Sequence, residues 1–397
     1  MSTYCFNEEK YTTRQNKFLD QIDSSKAESI LVFGYGSALG AGTKSHGAIR
    51  YLTGWDSHEA FSLFVLSKDT RLLLVSSPFM VPVAKQQYSN IKIIYVPTTQ
   101  WLNTLNAQLQ TNVSIGLIGF DEIPAAVYKS LMPLVASDSC VCLDEQLSLM
   151  RLIKDDDEIA LHKQGAAICD ELFASLKNEY SKNTPIWKIQ LALETQAKYQ
   201  GADYCKTWLT IRPAADYPRY WPEEGHRIPQ QGDQVLFGIA LSVEGHWAHG
   251  IRMGSIGTVN ETHQQLWQVV MQMMTAASHC LQPGNAMSQC EAAINDVFNQ
   301  YQTASSAPKI HRFRNGHGLG TSYEDPLITD YFPQYFKSQP SAQDKTQQLT
   351  VQPAMLLELH PNIFLPDIGA AAIGEMILVT KNGPQNLLTF PTQLFEL

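Results

Sequence analysis

The segment MRLIKDDDEIALHKQGAAI, residues 150–168, marks where one kind of sequence pattern stops and another begins. Its aspartates at 155–157 stand where the partial positive charge of a helix N-terminus favours anions. Behind them Ile159, Leu161, Ala166, Cys169, Leu172 and Phe173 recur at roughly helical spacing. A helix therefore begins here, and a domain boundary falls just before it, giving domains of residues 1–153 and 154–397.

Upstream, short β-rich runs alternate with helical segments. ESILVFGYG (28–36), FSLFVLS (61–67), RLLLVSS (71–77), IKIIYVP (91–97) and VSIGLIGF (113–120) read as strands, and PAAVYKSLMPLVA (124–136) as a helix. That alternation predicts an α/β domain with a mixed or parallel sheet. Downstream the order changes. PIWKIQLALETQAKYQG (185–201) completes a first helix pair and ends on a capping glycine. A second pair spans 261–284 and 285–302. Strands lie between and after the pairs, at CKTWLTIRP (205–213), DQVLFGIALSV (233–243), HWAHGIRMGSIG (246–257), AMLLELHPNIF (354–364) and AAIGEMILVT (371–380). This is an α+β order. FKSQPSAQDKTQQLTVQP (336–353) reads as a surface loop.

The 397 residues carry a net charge of −9, with 44% hydrophobic and 17% charged residues. Nucleic acid is not an expected partner, because it calls for a basic face. No apolar run reaches the 18 or more residues a membrane span needs. The first residues lack an apolar signal core, and seven cysteines without a C-x-x-C pair fit reduced thiols. A cytoplasmic location is expected.

Strand alternation sorts the candidate functional residues. In GHWAHGIR (245–252), His249 shares a face with Trp247, and His246 points away. In LELHP (357–361), Glu358 shares a face with His360. The glycines of GHGLG (316–320) suit close backbone approach. They do not make a nucleotide loop, since no strand–glycine–helix unit surrounds them. No G-x-S-x-G is present, and neither Cys169 nor Cys205 has a nearby histidine at a thiolate-pair spacing.

Four segments together resemble the pita-bread superfamily of creatinase, prolidase, aminopeptidase P and methionine aminopeptidase. They are YLTGWDSHEAFSLFVL (51–66), the junction at 150–168, NGHGLGTSYEDP (315–326) and LELHPNIFLPDIGAAAIGEMILVTKNG (357–383). The resemblance covers nearly the whole chain in order. It implies a creatinase-like α/β N-terminal domain, a pita-bread C-terminal domain, and a homodimer. In the peptidase members two metals sit on two aspartates, a histidine and two glutamates. The corresponding positions here are Gly238, His249, His317, His360 and Gly374. The two further histidines of the family pattern correspond to Trp221 and Glu324.

Glycine offers no donor, and one imidazole does not bridge two metals as a carboxylate does. The resemblance therefore implies a single divalent transition metal, zinc or iron first, on His249, His317 and His360. Glu358 and Glu324 are the candidate catalytic groups. Trp247, Trp221 and Glu375 are the candidate contacts to a small-molecule substrate, and Arg252 is expected in a structural ion pair. The expected activity is that of an enzyme outside the peptidases, acting on a small amino-acid-derived or amide substrate. The alternatives are a metal-free, creatinase-like C–N hydrolase and an inactive binding protein.

Overall fold

The computed structural model describes residues 7–22, 27–109, 113–136, 139–216, 225–304, 310, 312–324 and 349–397. The chain forms two compact units, the first running to Arg151 and the second starting at Leu152. A short segment beginning at Thr321 belongs with the first unit. It is held there by hydrogen bonds from Thr321 Oγ1 to the Gly47 carbonyl, at 2.8 Å, and from Arg151 to Ser322.

The first unit is built on a mixed six-stranded sheet. Its strands are β1 (Ser29–Tyr35), β2 (Phe61–Leu66), β3 (Arg71–Val75), β4 (Lys92–Tyr95), β5 (Ile115–Ile118) and β6 (Cys140–Cys142), in the order β4-β3-β2-β1-β5-β6. β1–β2 and β2–β3 are antiparallel, and the other pairs are parallel. Alternate residues feed two cores. Ile30, Val32, Phe64 and Leu73 pack on one face, and Leu31, Phe33, Leu63 and Leu72 on the other. Such runs are near-continuously apolar because both faces are covered. The glycine-rich stretch 34–42 leads to a helix at Lys44–Thr53. The first backbone N–H groups of that helix are bound by the Glu122 carboxylate, at 3.1 and 2.8 Å, so its positive end is already neutralised from within.

In the second unit the helix expected at the junction runs Asp156–Glu179. Asp155 is its N-cap, in a capping box with Glu158. With the helix Ile186–Tyr199 it covers one face of a sheet formed by β7 (Tyr204–Arg212), β8 (Gln234–Val243) and β9 (His246–Ser255). A fourth strand, Phe395–Glu396, pairs with the far side of β9. The β7 edge is closed by side chains: Thr207 N–H donates to Glu194, Gln190 donates to the Thr207 carbonyl, and Arg227 to that of Ile211. Capping of this kind blunts an edge that would otherwise template another strand.

A two-residue turn fixes the β8–β9 register. Glu244 and Gly245 both have positive φ, 49° and 75°, as the turn that matches strand twist requires. Val243 then pairs with His246, and Ala240 with His249. A second sheet, ordered β10-β11-β14-β15, contains β10 (Gly316–Gly318), β11 (Leu356–Leu359), β14 (Glu375–Thr380) and β15 (Gly383–Asn386). The run 354–364, read as one strand, breaks at His360–Pro361, where the prolyl ring removes a ladder donor. β12 (Asn362–Leu365) follows and pairs with β13 (Gly369–Ala372). The helices Glu261–Cys280 and Ser288–Ala304 pack together over these strands in one apolar core. A bridge between Ile251 and Gly374 joins the two sheets.

No helix among the described residues is long and apolar enough to cross a membrane. The cysteines among them form no disulfide.

Candidate metal centre

Register and pleat bring three side chains to one point. His317 pairs directly with Glu358 across β10–β11, so both project from the same face. A side chain at Gly316 would collide with the Glu358 carbonyl oxygen, so the glycine is what lets these strands close. His249 arrives from β9, beside the Ile251–Gly374 bridge. Its Nδ1 lies 2.5 Å from Glu358 Oε2, and His317 Nε2 lies 2.9 Å from the same oxygen. All three side chains are buried, and their donor atoms lie within 4.8 Å of one another.

His360, expected as the third ligand, stands just outside this group. Its Nε2 is 3.7 Å from Glu358 Oε2, and its ring centroid is 5.4 Å from that of His317. Glu358, expected as a fourth ligand, a general base or a partner orienting an imidazole, stands at the centre of the group. The reason is the direct cross-strand pairing of 317 with 358, which a reading of separate strands does not reveal.

Electrostatics follow from burial. Burial opposes ionisation of Glu358 most strongly. The imidazoles around it, those of His249 and His360 first, more than offset it and hold the carboxyl well below the usual carboxylate range. Burial pushes His317 down despite Glu358, and pushes His360 down to about 3. At neutral pH an anionic carboxylate thus faces the neutral rings of His317 and His360. His317 Nδ1 lies 2.9 Å from the Gly318 carbonyl oxygen. If Nδ1 carries the ring proton and donates it there, Nε2 is left as a lone pair aimed at the carboxylate. Two acceptors then face each other at 2.9 Å, and Glu358 Oε1 has no hydrogen-bond donor among the described residues. A cation resolves both conflicts. Two imidazole nitrogens and a carboxylate oxygen suit one borderline transition metal. Gly238 and Gly374 add no donors for a second.

The remaining expected residues fall elsewhere. Trp247 does share the face of His249, as alternation requires, but it is 4% exposed and packs against Tyr204 at 5.2 Å between ring centroids. The aromatic ring beside the cluster is Trp208, half-buried on β7, with its centroid 5.7 Å from that of His249. CKTWLTIRP was legible as a strand, but not its pairing of Trp208 with Gly238, which puts the indole on this face. Glu375 lies on the opposite face of its sheet from Glu358. It pairs with Arg252 at 2.6 Å, the structural ion pair expected of that arginine. Burial outweighs Arg252 and raises the Glu375 carboxyl to about 7. Glu324 lies in the segment held by the first unit and is not in the cluster. Trp221 lies outside the described residues.

Comparison with known proteins agrees with this architecture. Residues 160–381 match Metallopeptidase family M24, and residues 14–153 match the Creatinase/Prolidase N-terminal domain. The chain belongs to metallopeptidase family M24, with the pita-bread fold of the creatinase and prolidase branch. A Bacillus subtilis protein, YkvY, whose name assigns it provisionally to the dipeptidases, is 25% identical over 87% of this chain and 92% of its own length. The Xaa-Pro dipeptidase of Pyrococcus horikoshii is 22% identical over 62% of this chain and 65% of its own. The crystal structure of prolidase from Thermococcus sibiricus superposes with a TM-score of 0.79 at 19% identity, over 98% of this chain and 99% of that one.

These matches overturn the expectation of an enzyme outside the peptidases. Its basis was the expected replacement of carboxylate ligands, a matter of how many metals the site would hold. It does not bear on the bond that is cleaved. The protein is a hydrolase of a metal-dependent family, and its His249–His317–Glu358 group is one that could hold a metal.

Proposed function

We propose that this protein is a peptidase acting on short peptides with one transition metal per chain, zinc or iron first, held by His249 Nδ1, His317 Nε2 and Glu358. The observation that carries this reading is the His317 Nε2–Glu358 Oε2 contact at 2.9 Å between a buried neutral ring and a buried carboxylate. When bound, the metal supplies Lewis acidity toward the scissile carbonyl and the attacking water. The chain supplies the rest. Glu358 balances the charge of the centre, and the Gly318 carbonyl holds the His317 tautomer. His360 stays neutral, so its ring N–H serves as a donor to the oxygen on which charge develops. Trp208 flanks the substrate beside His249, and burial of the cluster excludes bulk water.

The test is hydrolysis of a dipeptide panel, Xaa-Pro members included, by chelated and reconstituted protein. Turnover that is lost on chelation and restored by one metal equivalent supports the reading. Turnover that survives complete metal removal contradicts it. A homodimer is proposed with it, and light scattering that gives a monomer at micromolar concentration would remove that part.

A further inference from the structure

Gly374 does not owe its identity to its backbone. Its φ lies outside the left-handed region, so any residue could adopt its conformation. It owes it to space. A Cβ built there would lie 2.6 Å from Glu358 Oε1, 2.7 Å from the Ile251 nitrogen and 2.9 Å from Ile251 Cγ1. Separations under 3 Å require something to shift, and little here is free to do so.

The backbone of Gly374 is pinned from both directions. Its N–H donates to the Ile251 carbonyl at 3.0 Å, and its carbonyl accepts from the Ile251 N–H at 3.3 Å and from Arg252 Nη1 at 2.8 Å. Glu358 is equally constrained, since its Oε2 is already engaged by His249 and His317. Its Oε1 therefore projects into the volume that a side chain at 374 would fill.

We propose that Gly374 is a positioning residue: the space left by its missing side chain is the socket in which Glu358 turns its carboxylate between His249 and His317. The proposal rests on reading that group as a metal site. A larger residue at 374 acts through Glu358. It rotates the carboxylate off the two nitrogens and removes the oxygen donor, with the fold in place. The central acid of the site, on β11, and the glycine facing it, just before β14, are thus one unit.

The experiment is a double-mutant cycle on the full chain, comparing wild type, Gly374→Ala, Glu358→Ala and the double variant. Zinc affinity is read by competition with a chromophoric chelator, using zinc alone as the probe. Unfolding midpoints are read in excess chelator. Gly374→Ala is expected to weaken zinc binding by roughly 10–100-fold, the range for losing the support of a ligand. It should add little once residue 358 is alanine. Glu358→Asp combined with Gly374→Ala, with its shorter reach, should recover part of the affinity. In chelator, Gly374→Ala should lower the midpoint less when residue 358 is alanine, the difference being the part that acts through Glu358. The contact with Ile251 is common to both backgrounds and cancels in the cycle. Equal costs of Gly374→Ala with and without Glu358 would overturn the proposal. If the wild type takes up no zinc, the metal reading is what fails, and the chelator arm still decides whether the socket exists.

Discussion

Two buried histidine–glutamate groups lie on opposite faces of β9. On the face covered by the helix Asp156–Glu179, His246 Nε2 is 3.8 Å from Glu158 Oε1, and the His246 and His162 rings meet edge to face at 5.5 Å. Each of these residues makes a hydrogen bond to a backbone group. His162 Nδ1 lies 2.9 Å from the Trp247 carbonyl, His246 Nδ1 lies 3.0 Å from that of Glu244, and Glu158 Oε2 accepts from the Asp155 N–H. On the face of His249 the polar atoms turn inward, with two ring nitrogens on one carboxylate oxygen. Both groups are buried, and both contain the residue types that ligate metals. The difference lies in how closely the polar atoms crowd. In the first group each residue makes a hydrogen bond to a backbone group, and His246 Nε2 stands 3.8 Å from Glu158, whereas in the second two ring nitrogens lie within 2.9 Å of one carboxylate oxygen, at a volume that a cation fits.

The sharpest way to break this contrast is to remove the carboxylate from each group. Glu358→Gln should lower metal-dependent peptide hydrolysis on the order of 10³-fold or more, since metal chemistry of this kind supplies several kcal/mol. Steady-state kinetics and metal content check it. Glu158→Gln should leave metal content unchanged. Arg252 gives a second large effect, this one on stability. Its guanidinium is 1% exposed and bound to Glu375 and to the carbonyls of Gly374, Phe390 and Pro391. Breaking a buried pair from one side costs about 3–5 kcal/mol. Arg252→Met should show that loss in chemical denaturation, and the double variant with Glu375→Leu should recover part of it.

His263 sharpens the comparison from another side. It is fully buried on the helix Glu261–Cys280, and its ring nitrogens have no hydrogen-bond partner among the described residues. Burial alone lowers its pKa from 6.5 to about 4. The unfolded chain therefore takes up the proton first as pH falls. Stability from this residue is intact above about 6.5 and is lost between 6.5 and 4. His263→Phe should abolish that part of the acid sensitivity, worth about 2 kcal/mol at pH 5. Denaturation midpoints at pH 7.5 and 5 for both proteins measure it. The smallest effect belongs to Glu158, whose loss from the capping box should cost about 1 kcal/mol. A thermal melt would detect it.

Much of this arrangement was legible before the structure. The acidic start at 155–158 and the helical spacing behind it placed a real helix, and the strand runs around it became strands. Alternation correctly put His246 and His249 on opposite faces, and Trp247 with His249. What sequence spacing does not carry is register between distant strands. The pairing of His317 with Glu358 made the glutamate, and not His360, the centre of the group. The pairing of Glu375 with Leu359 turned that acid toward Arg252 and away from the site. The place of Trp208 beside His249 is hidden for the same reason. Nothing local to residues 205–213 says that their strand lies beside Gly238.

Metal stoichiometry tests the single-metal reading most directly. Chelated, reconstituted wild type and His249→Ala should be titrated with zinc and with iron(II), and bound metal per chain measured by elemental analysis. The donor set predicts one equivalent for the wild type with at least one of these metals, and loss of tight binding in His249→Ala. Two tightly bound equivalents in the wild type, or none with either metal, would contradict it.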